Sequence, residues 1–170
     1  MSQTIMQYQI KRVTWSNFGA LMRLQRQIAY ETEHLAVTRS DKSESVLYAL
    51  TKALLNRKRV HTFVAKDGAH IVGYITVICG KFLKVKGTAY IVMGVLTSHR
   101  RRGIGTGLLM HVEEFVRSRQ MHRLELEVFE NNVNAIRLYE KLGFLTEGKR
   151  REAIRTPSGY QDIRWMGKLL

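Results

Sequence analysis

The sequence predicts an α/β domain in which one mixed sheet carries helices on its faces. Apolar residues recur at helical spacing in some segments and alternate at strand spacing in others, and the two kinds of segment interleave along the chain. No repeat, low-complexity tract or linker interrupts this order. A chain of 170 residues has the size of one ordinary domain, so we expect a single domain over residues 1–170.

The first half of the chain predicts a strand, two helices and three further strands. In order, these elements cover residues 8–14, 16–37, 46–55, 60–65, 71–79 and 87–96. Apolar residues at helical spacing, such as Leu21 and Ile28, define the first helix, and Ser16 is its expected cap. The three later strands are rich in Val, Ile, Thr and Tyr, and Asp67-Gly68 marks a turn between two of them.

The second half alternates between helices and strands and closes with a hairpin. The predicted elements are a helix over 106–119, a strand over 123–129, a helix over 132–142, and strands over 144–155 and 160–170. In the strand over 123–129, apolar residues alternate with Glu125 and Glu127, which places the two glutamates on one face. Gly143 is expected to end the preceding helix in a left-handed conformation.

The chain is strongly basic. It has 28 basic and 14 acidic residues, a formal net charge of +14. This charge attracts phosphates, whether on a nucleic acid or on an anionic cofactor. The basic clusters at 100–102 and 149–151 are not accompanied by the aromatic strand motif of an RNA-binding sheet, so nucleic acid is the less favoured partner.

Targeting signals are not predicted. No apolar run approaches the roughly 20 residues that span a bilayer, and the start Met1-Ser-Gln-Thr lacks the basic-then-apolar order of a secretory signal. Cys79, the lone cysteine, lies in an apolar stretch and fits a reducing compartment. We therefore expect a soluble cytoplasmic protein without a membrane partner.

The segment Val95-Leu-Thr-Ser-His-Arg-Arg-Arg-Gly-Ile-Gly-Thr-Gly107 joins a strand directly to an amphipathic helix. Glycines allow backbone N–H groups to turn toward a ligand, and the helix N-terminus adds partial positive charge, so the segment predicts a phosphate-binding loop. It lacks the Lys and Ser or Thr of a Walker loop, and Leu108 stands where a dinucleotide fingerprint needs glycine. His99 is expected on the surface of this loop.

Two motifs carry a resemblance to a known family. The loop has the pattern R-x-x-G-x-G, and the segment Asn132-Val-Asn-Ala-Ile-Arg-Leu-Tyr-Glu-Lys-Leu-Gly-Phe144 has the pattern N-x-x-A-x-x-L-Y-x-x-x-G-F. Together they resemble the GNAT superfamily of acetyl-CoA-dependent acetyltransferases, and the resemblance covers nearly the whole chain. It implies a mixed, mostly antiparallel seven-stranded sheet flanked by about four helices, with acetyl-CoA as co-substrate and no metal.

The resemblance also implies a set of cofactor-binding residues: Val95, Leu96, Thr97, Arg100, Arg101, Arg102, Gly103, Ile104, Gly105, Thr106, Asn132, Ala135 and Tyr139. By this resemblance Asn132 bonds the pantetheine arm and Tyr139 donates a proton to the departing sulfur. Each has a simpler alternative, because Asn132 also suits a helix cap and Tyr139 shares the apolar face of its helix.

An amine acceptor must lose a proton before it attacks, since its free pKa is about 10. The residue that matches the base of part of this superfamily is Glu127, and its alternative role is a salt-bridged residue on an alternating strand. Glu31 and Glu33, after the first helix, are fallback candidates for the base that could instead line the amine pocket. Gly94 and Val95 are the expected oxyanion donors at a strand bulge, although Gly94 also suits close packing.

The expected reaction is direct transfer of acetyl from acetyl-CoA to a primary amine in a ternary complex. Cys79 is too embedded in an apolar strand to serve as an acyl carrier. The ending of the chain is similar to GNAT branches acting on polyamines, amino acids or ribosomal-protein N-termini, which leaves the acceptor open. A non-catalytic acetyl-CoA sensor and a nucleic-acid-binding module on the same fold are the alternatives, and a homodimer is also left open.

Overall fold

The computed structural model describes residues 8–32, 59–80 and 87–170. The strands are β1 (Gln9–Arg12), β2 (Val60–Asp67), β3 (His70–Cys79), β4 (Thr88–Val95), β5 (Arg123–Phe129), β6 (Leu145–Thr156) and β7 (Gly159–Leu169). The helices are α1 (Trp15–Glu31), α2 (Ile104–Arg117) and α3 (Val133–Lys141), and a 3-10 turn covers Thr97–His99. The predicted helix over 46–55 lies outside the described residues. Within the described ranges, no helix has both the length and the hydropathy to cross a bilayer.

The seven strands form one sheet in the order β1-β2-β3-β4-β5-β7-β6. Only β4 and β5 run parallel, and every other neighbouring pair is antiparallel. The predicted class, a mixed and mostly antiparallel seven-stranded sheet, is therefore confirmed. In chain order, α2 connects the two parallel strands and α3 follows β5, so one sequence motif follows β4 and the other follows β5.

The helices divide between the two faces of the sheet. α1 buries Leu21, Leu24 and Ile28, and Ile28 lies against the backbone of Gly94 on one face. α2 covers the opposite face, where its Phe115 ring contacts that of Phe63 at 5.1 Å. Successive side chains along a strand point to opposite faces of the sheet, so neighbouring residues of one strand face different helices.

The N-terminus of α1 differs from the prediction. Thr14 is the N-cap, and its backbone N–H donates to Asn17 Oδ1 at 2.9 Å. Ser16 lies within the first helical turn, and its hydroxyl hydrogen-bonds to that of Thr14 at 2.8 Å. The prediction of Ser16 as the cap is wrong because Thr14 adopts the extended backbone of a cap, with φ −122° and ψ 170°.

The C-terminus of α3 is formed as predicted. Gly143 has φ 86° and ends the helix in a left-handed conformation. The N–H of Phe144 donates to the carbonyl of Tyr139 at 3.0 Å, and the N–H of Gly143 donates to that of Glu140 at 3.0 Å. These two bonds form a Schellman motif, which brings Phe144 back onto the last turns of α3.

Candidate active site

The parallel pair of β4 and β5 opens into a gap. The two strands pair at three positions, Thr88 with Arg123, Ala89 with Leu124 and Tyr90 with Glu125. Both strands continue beyond this point, to Val95 and Phe129. We call the space between 91–95 and 126–129 the β4–β5 gap. An unpaired strand edge of this kind can hydrogen-bond to an extended ligand as it would to another strand.

The direction of the β4 backbone identifies a donor that faces the gap. The N–H of Leu96 donates to the carbonyl of Val72 at 3.0 Å, on the β3 side. Successive N–H groups of a strand point to opposite sides, so the N–H of Val95 points into the gap and that of Gly94 points toward β3. Of the two predicted oxyanion donors, Val95 is therefore the one whose N–H faces the gap, and its role in catalysis stays a prediction.

The bulge predicted at Gly94 is absent. The pairing of β3 with β4 runs in regular register from Gly73 and Val95 to Cys79 and Ala89. A Cβ at Gly94 would stand 3.0 Å from a ring carbon of Tyr74 and 3.2 Å from Ile28 Cδ1. Glycine is needed here because Ile28 of α1 and the ring of Tyr74 pack against the strand. The alternative reason for Gly94, close packing, is therefore the one observed.

The phosphate loop begins at the end of β4, beyond the last pairing of β4 with β5. Arg101 and Gly103 both have positive φ, 59° and 77°, and α2 starts at Ile104 immediately after them. The carbonyl of Gly103 accepts a hydrogen bond from Tyr8 Oη at 2.9 Å. The hydrogen bond from Tyr8 thus fixes the loop at the start of α2, and the binding of an anion by the first-turn amides of α2 stays a prediction.

The predicted loop residues divide into buried supports and exposed groups. Leu96 and Ile104 are buried. Thr97, Arg100, Arg101 and Arg102 are exposed. Arg100 Nε donates to the carbonyl of Val95 at 3.2 Å, so its guanidinium lies across the end of β4. Gly105 and Thr106 occupy the first turn of α2.

Gly105 brings the second motif against the first. A Cβ at this position would stand 3.0 Å from Leu138 Cδ2 and 3.3 Å from Met93 Cε. The absence of a side chain lets α3 approach the start of α2 closely. The phosphate loop and the helix that carries Asn132, Ala135 and Tyr139 are consequently adjacent.

Asn132 caps α3. Its Oδ1 accepts from the N–H of Ala135 at 3.3 Å. An asparagine side chain also has an NH2 group with two donors, which the cap does not require. The capping alternative is therefore observed, and it is compatible with a further hydrogen bond to a ligand in the gap.

Tyr139 is buried on α3, with 8% of its surface exposed. Its ring lies 5.8 Å from that of Phe144, the contact that accompanies the Schellman motif. Burial raises the pKa of Tyr139 well above its usual range, and the phenols of Tyr74 and Tyr90 raise it further. The hydroxyl therefore remains protonated at neutral pH and has a proton to donate.

Two tyrosines that sequence reasoning missed stand near Tyr139. Tyr74 of β3 hydrogen-bonds to the Gln25 side chain, and burial raises its pKa to about 12. Tyr90 is the last residue of β4 that pairs with β5, and its phenol hydrogen-bonds to the backbone of Glu127. Burial raises the pKa of Tyr90, and the Glu127 carboxylate adds to this rise. Tyr90 is therefore bound to one predicted catalytic residue, Glu127, and lies near the other, Tyr139.

Glu127 lies on β5 opposite Trp165 of β7. Its Oε1 accepts from Arg150 Nη1 at 2.9 Å. The side chain of Glu127 is 23% exposed and that of Arg150 is 61% exposed. The salt-bridged alternative is thus observed, and the role of Glu127 as a base stays a prediction.

Glu31, at the end of α1, is engaged with the loop. Its Oε2 accepts from the backbone N–H of Thr97 at 2.8 Å, and Gln27 donates to its Oε1 at 3.0 Å. The bond from Thr97 holds the pKa of Glu31 below its usual range. Glu31 therefore ties α1 to the end of β4, and its role in an amine pocket stays a prediction. Glu33 lies outside the described residues.

The loop geometry predicts the effect of one substitution. Gly103→Ala introduces a side chain at φ 77° in otherwise open space, which strains the loop by about 1 kcal/mol. We expect the dissociation constant for coenzyme A, measured by calorimetry, to rise roughly fivefold. The matched control is Gly159→Ala, which also has positive φ and open space but lies in the β6–β7 turn. Equal effects of the two variants on coenzyme A affinity would contradict the placement of the phosphate site.

The described residues contain no cluster of three or more His, Cys, Asp or Glu that could hold a metal ion.

The chain is similar to two kinds of curated relative. It is 41% identical over 63 residues to the [ribosomal protein bS18]-alanine N-acetyltransferase of Salmonella typhimurium strain LT2, which covers 37% of this chain and 43% of the relative. It is 26% identical over 117 residues to the L-amino acid N-acetyltransferase AaaT of Escherichia coli K12, which covers 68% of this chain and 72% of the relative.

Solved structures share the fold over nearly the whole chain. A GNAT acetyltransferase from Streptococcus pneumoniae superposes with a TM-score of 0.84 at 22% identity, covering 96% of this chain and 99% of the other. The protein yncA of Salmonella typhimurium, determined with its cofactor acetyl-CoA, superposes with a TM-score of 0.81 at 18% identity, covering 96% and 94%. The model of the acetyltransferase (GNAT) family matches residues 21–144, which include the β4–β5 gap, the loop and both motifs. The chain therefore belongs to the GNAT family of acetyltransferases.

Proposed function

We propose that this protein transfers the acetyl group of acetyl-CoA to the nitrogen of a primary amine, an amino acid or a peptide N-terminus, in the cytoplasm. The observation that carries the proposal is the opening of β4 from β5 directly beside a glycine-rich loop, with Tyr139 on the adjacent helix. The named relatives act on a ribosomal-protein alanine and on L-amino acids, which supports these acceptor classes.

The chain supplies the groups that acetyl-CoA needs. The positive-φ residues Arg101 and Gly103 and the first turn of α2 would hold the pyrophosphate. The edge of β4 and the amide nitrogen of Asn132 would hydrogen-bond the pantetheine arm in the gap. When bound, acetyl-CoA supplies a thioester whose acetyl carbon is transferred and whose sulfur leaves with the bonding electron pair.

Residues of the chain then manage the protons and the developing charge. Glu127, or a water molecule that it binds, accepts a proton from the ammonium group of the acceptor, so that the neutral nitrogen forms the new C–N bond. The N–H of Val95 stabilises the negative charge on the carbonyl oxygen. As the C–S bond breaks, Tyr139 donates its proton to sulfur, and the proton released by the acylated nitrogen passes to solvent and restores the phenol.

The alternatives make different predictions. A sensor would bind acetyl-CoA without turnover, and a nucleic-acid-binding module would use the exposed arginines without needing Tyr139 in a buried site. In either alternative, Tyr139 would serve only in packing. The homodimer that the resemblance leaves open is a separate question, which sedimentation of the purified chain would answer.

The proposal is tested by thiol release. The purified protein is mixed with acetyl-CoA and separate pools of amino acids, polyamines and N-terminal peptides, and acetylated products are identified by mass. We expect release that depends on one pool of amines and a product that gains one acetyl group on nitrogen. If no pool gives release while acetyl-CoA binds, the sensor replaces the enzyme.

A further inference from the structure

Charged side chains on the α1 face of β5, β6 and β7 are paired unequally. Arg123 Nε donates to Glu125 at 3.1 Å, and the same guanidinium also binds both oxygens of Glu147. Arg150, by contrast, contacts Glu127 alone among the described acidic residues. Arg123 is therefore held by two carboxylates, whereas Arg150 can exchange its partner.

The surroundings leave space for such an exchange. Arg150 and Glu127 lie on the same face, on either side of β7, where Trp165 pairs with both Glu127 and Gly148. A Cβ placed on Gly148 would meet nothing within 4 Å. The Arg150 side chain is 61% exposed, so it can move without breaking a packed interface.

The positive charge of Arg150 next to Glu127 affects which amine acceptors can bind there. Arg150 already occupies Oε1 of Glu127, so an ammonium group that Glu127 receives either displaces the guanidinium or lies beside it. A diamine adds further positive charge there and brings no carboxylate for the guanidinium. An α-amino acid brings a carboxylate two bonds from its ammonium group, so it can satisfy Glu127 and Arg150 together and leave no charge unpaired.

We propose that Glu127 and Arg150 form the recognition site for the zwitterion of a free α-amino acid, in which Arg150 binds the carboxylate of the acceptor. Arginine suits this role because its planar guanidinium binds a carboxylate through two parallel hydrogen bonds. The inference rests on the proposed function and narrows its acceptor from amines in general to free amino acids. Arg150 is then a specificity-determining residue.

Other charged groups near this face are already engaged. Lys149 binds Asp162 at 2.7 Å, and Arg164 binds Glu130. Their side chains alternate with Arg150 and Trp165 and so lie on the opposite face. Arg150 is accordingly the exchangeable cation beside Glu127 within the part of the chain that the structure describes.

The first test compares each amino acid that gives thiol release with its carboxamide. In the wild type we expect kcat/KM, corrected for the fraction of neutral amine, to be at least about tenfold higher for the amino acid, the size of one charge-assisted hydrogen bond. In Arg150→Gln this preference should fall below about twofold, mainly through KM. The control Arg155→Gln removes an equal charge from an exposed position of β6 and should keep the preference.

A second readout measures binding without turnover. With Trp15→Phe as background, Trp165 is the remaining tryptophan, and its fluorescence is followed as amino acid is added. We expect the dissociation constant of the amino acid to rise about tenfold in Arg150→Gln, with coenzyme A affinity unchanged.

The outcomes separate the two proposals. Equal use of amino acid and carboxamide by the wild type, or a preference for peptide N-termini, overturns the role of Arg150 while acetyl transfer stands. Unchanged amino acid binding in Arg150→Gln overturns it as well. If no amine gives thiol release, the proposed function fails, and the fluorescence titration still decides whether Arg150 binds the zwitterion.

Discussion

Replacing Tyr139 with Phe is expected to lower kcat for amine-dependent thiol release by about a hundredfold, within the range that general acid catalysis contributes. The phenol is buried and its pKa is raised by burial, so it is protonated at neutral pH. Phe keeps the ring contact with Phe144, and the affinity for acetyl-CoA should remain within about twofold. Steady-state kinetics and calorimetric titration measure the two quantities.

The pH dependence of kcat is a second test of Tyr139 as the acid. Because the pKa of Tyr139 is raised, the acid stays in its active form past the ordinary phenol pKa of about 10, so wild-type kcat should show no alkaline decline below that pH. Tyr160→Phe, at an exposed position of β7, serves as the control. If Tyr139→Phe has the same kcat as the wild type, Tyr139 is not the acid and serves only in packing.

The parts of this fold that follow local rules could be predicted from the sequence. The strict alternation over 123–129 predicted β5 with its observed bounds, and Gly143 ends α3 as expected. The phosphate loop was predicted because glycines and a helix start lie next to each other in the chain. These features depend on neighbours in sequence, which a single sequence contains.

The features that depend on register could not be predicted. Tyr90 was missed because its position as the last paired residue of β4 depends on how β4 aligns with β5, more than thirty residues away. Arg150 was missed for a similar reason, since it reaches Glu127 across β7. The glycine at 94 suggested a bulge, whereas α1 packs there, a contact between elements that no local pattern reveals.

Glu127→Gln is expected to reduce kcat/KM at neutral pH by about a hundredfold, because Gln cannot accept the proton of the ammonium group. The deficit should shrink as the pH approaches the pKa of the acceptor's amino group, above which the acceptor is neutral without help. Steady-state assays over a range of pH measure both effects, with acetyl-CoA kept saturating.

The matched control is Glu114→Gln, which removes the same charge from an exposed position of α2. It should leave kcat/KM within about twofold of the wild type. A deficit in Glu127→Gln that is constant at all pH values would indicate that Glu127 positions the acceptor or Arg150 and does not remove the proton.

A single-turnover experiment tests whether the acetyl group passes directly from acetyl-CoA to an amine at the β4–β5 gap. The protein is first mixed with a substoichiometric amount of acetyl-CoA, an accepted amine is added afterwards, and thiol release and the mass of the protein are followed through both steps. Direct transfer predicts no thiol release and no change in protein mass before the amine arrives, then one equivalent of thiol with acetylated amine. Thiol release before the amine, with a protein that has gained an acetyl group at Cys79 or elsewhere, would contradict direct transfer.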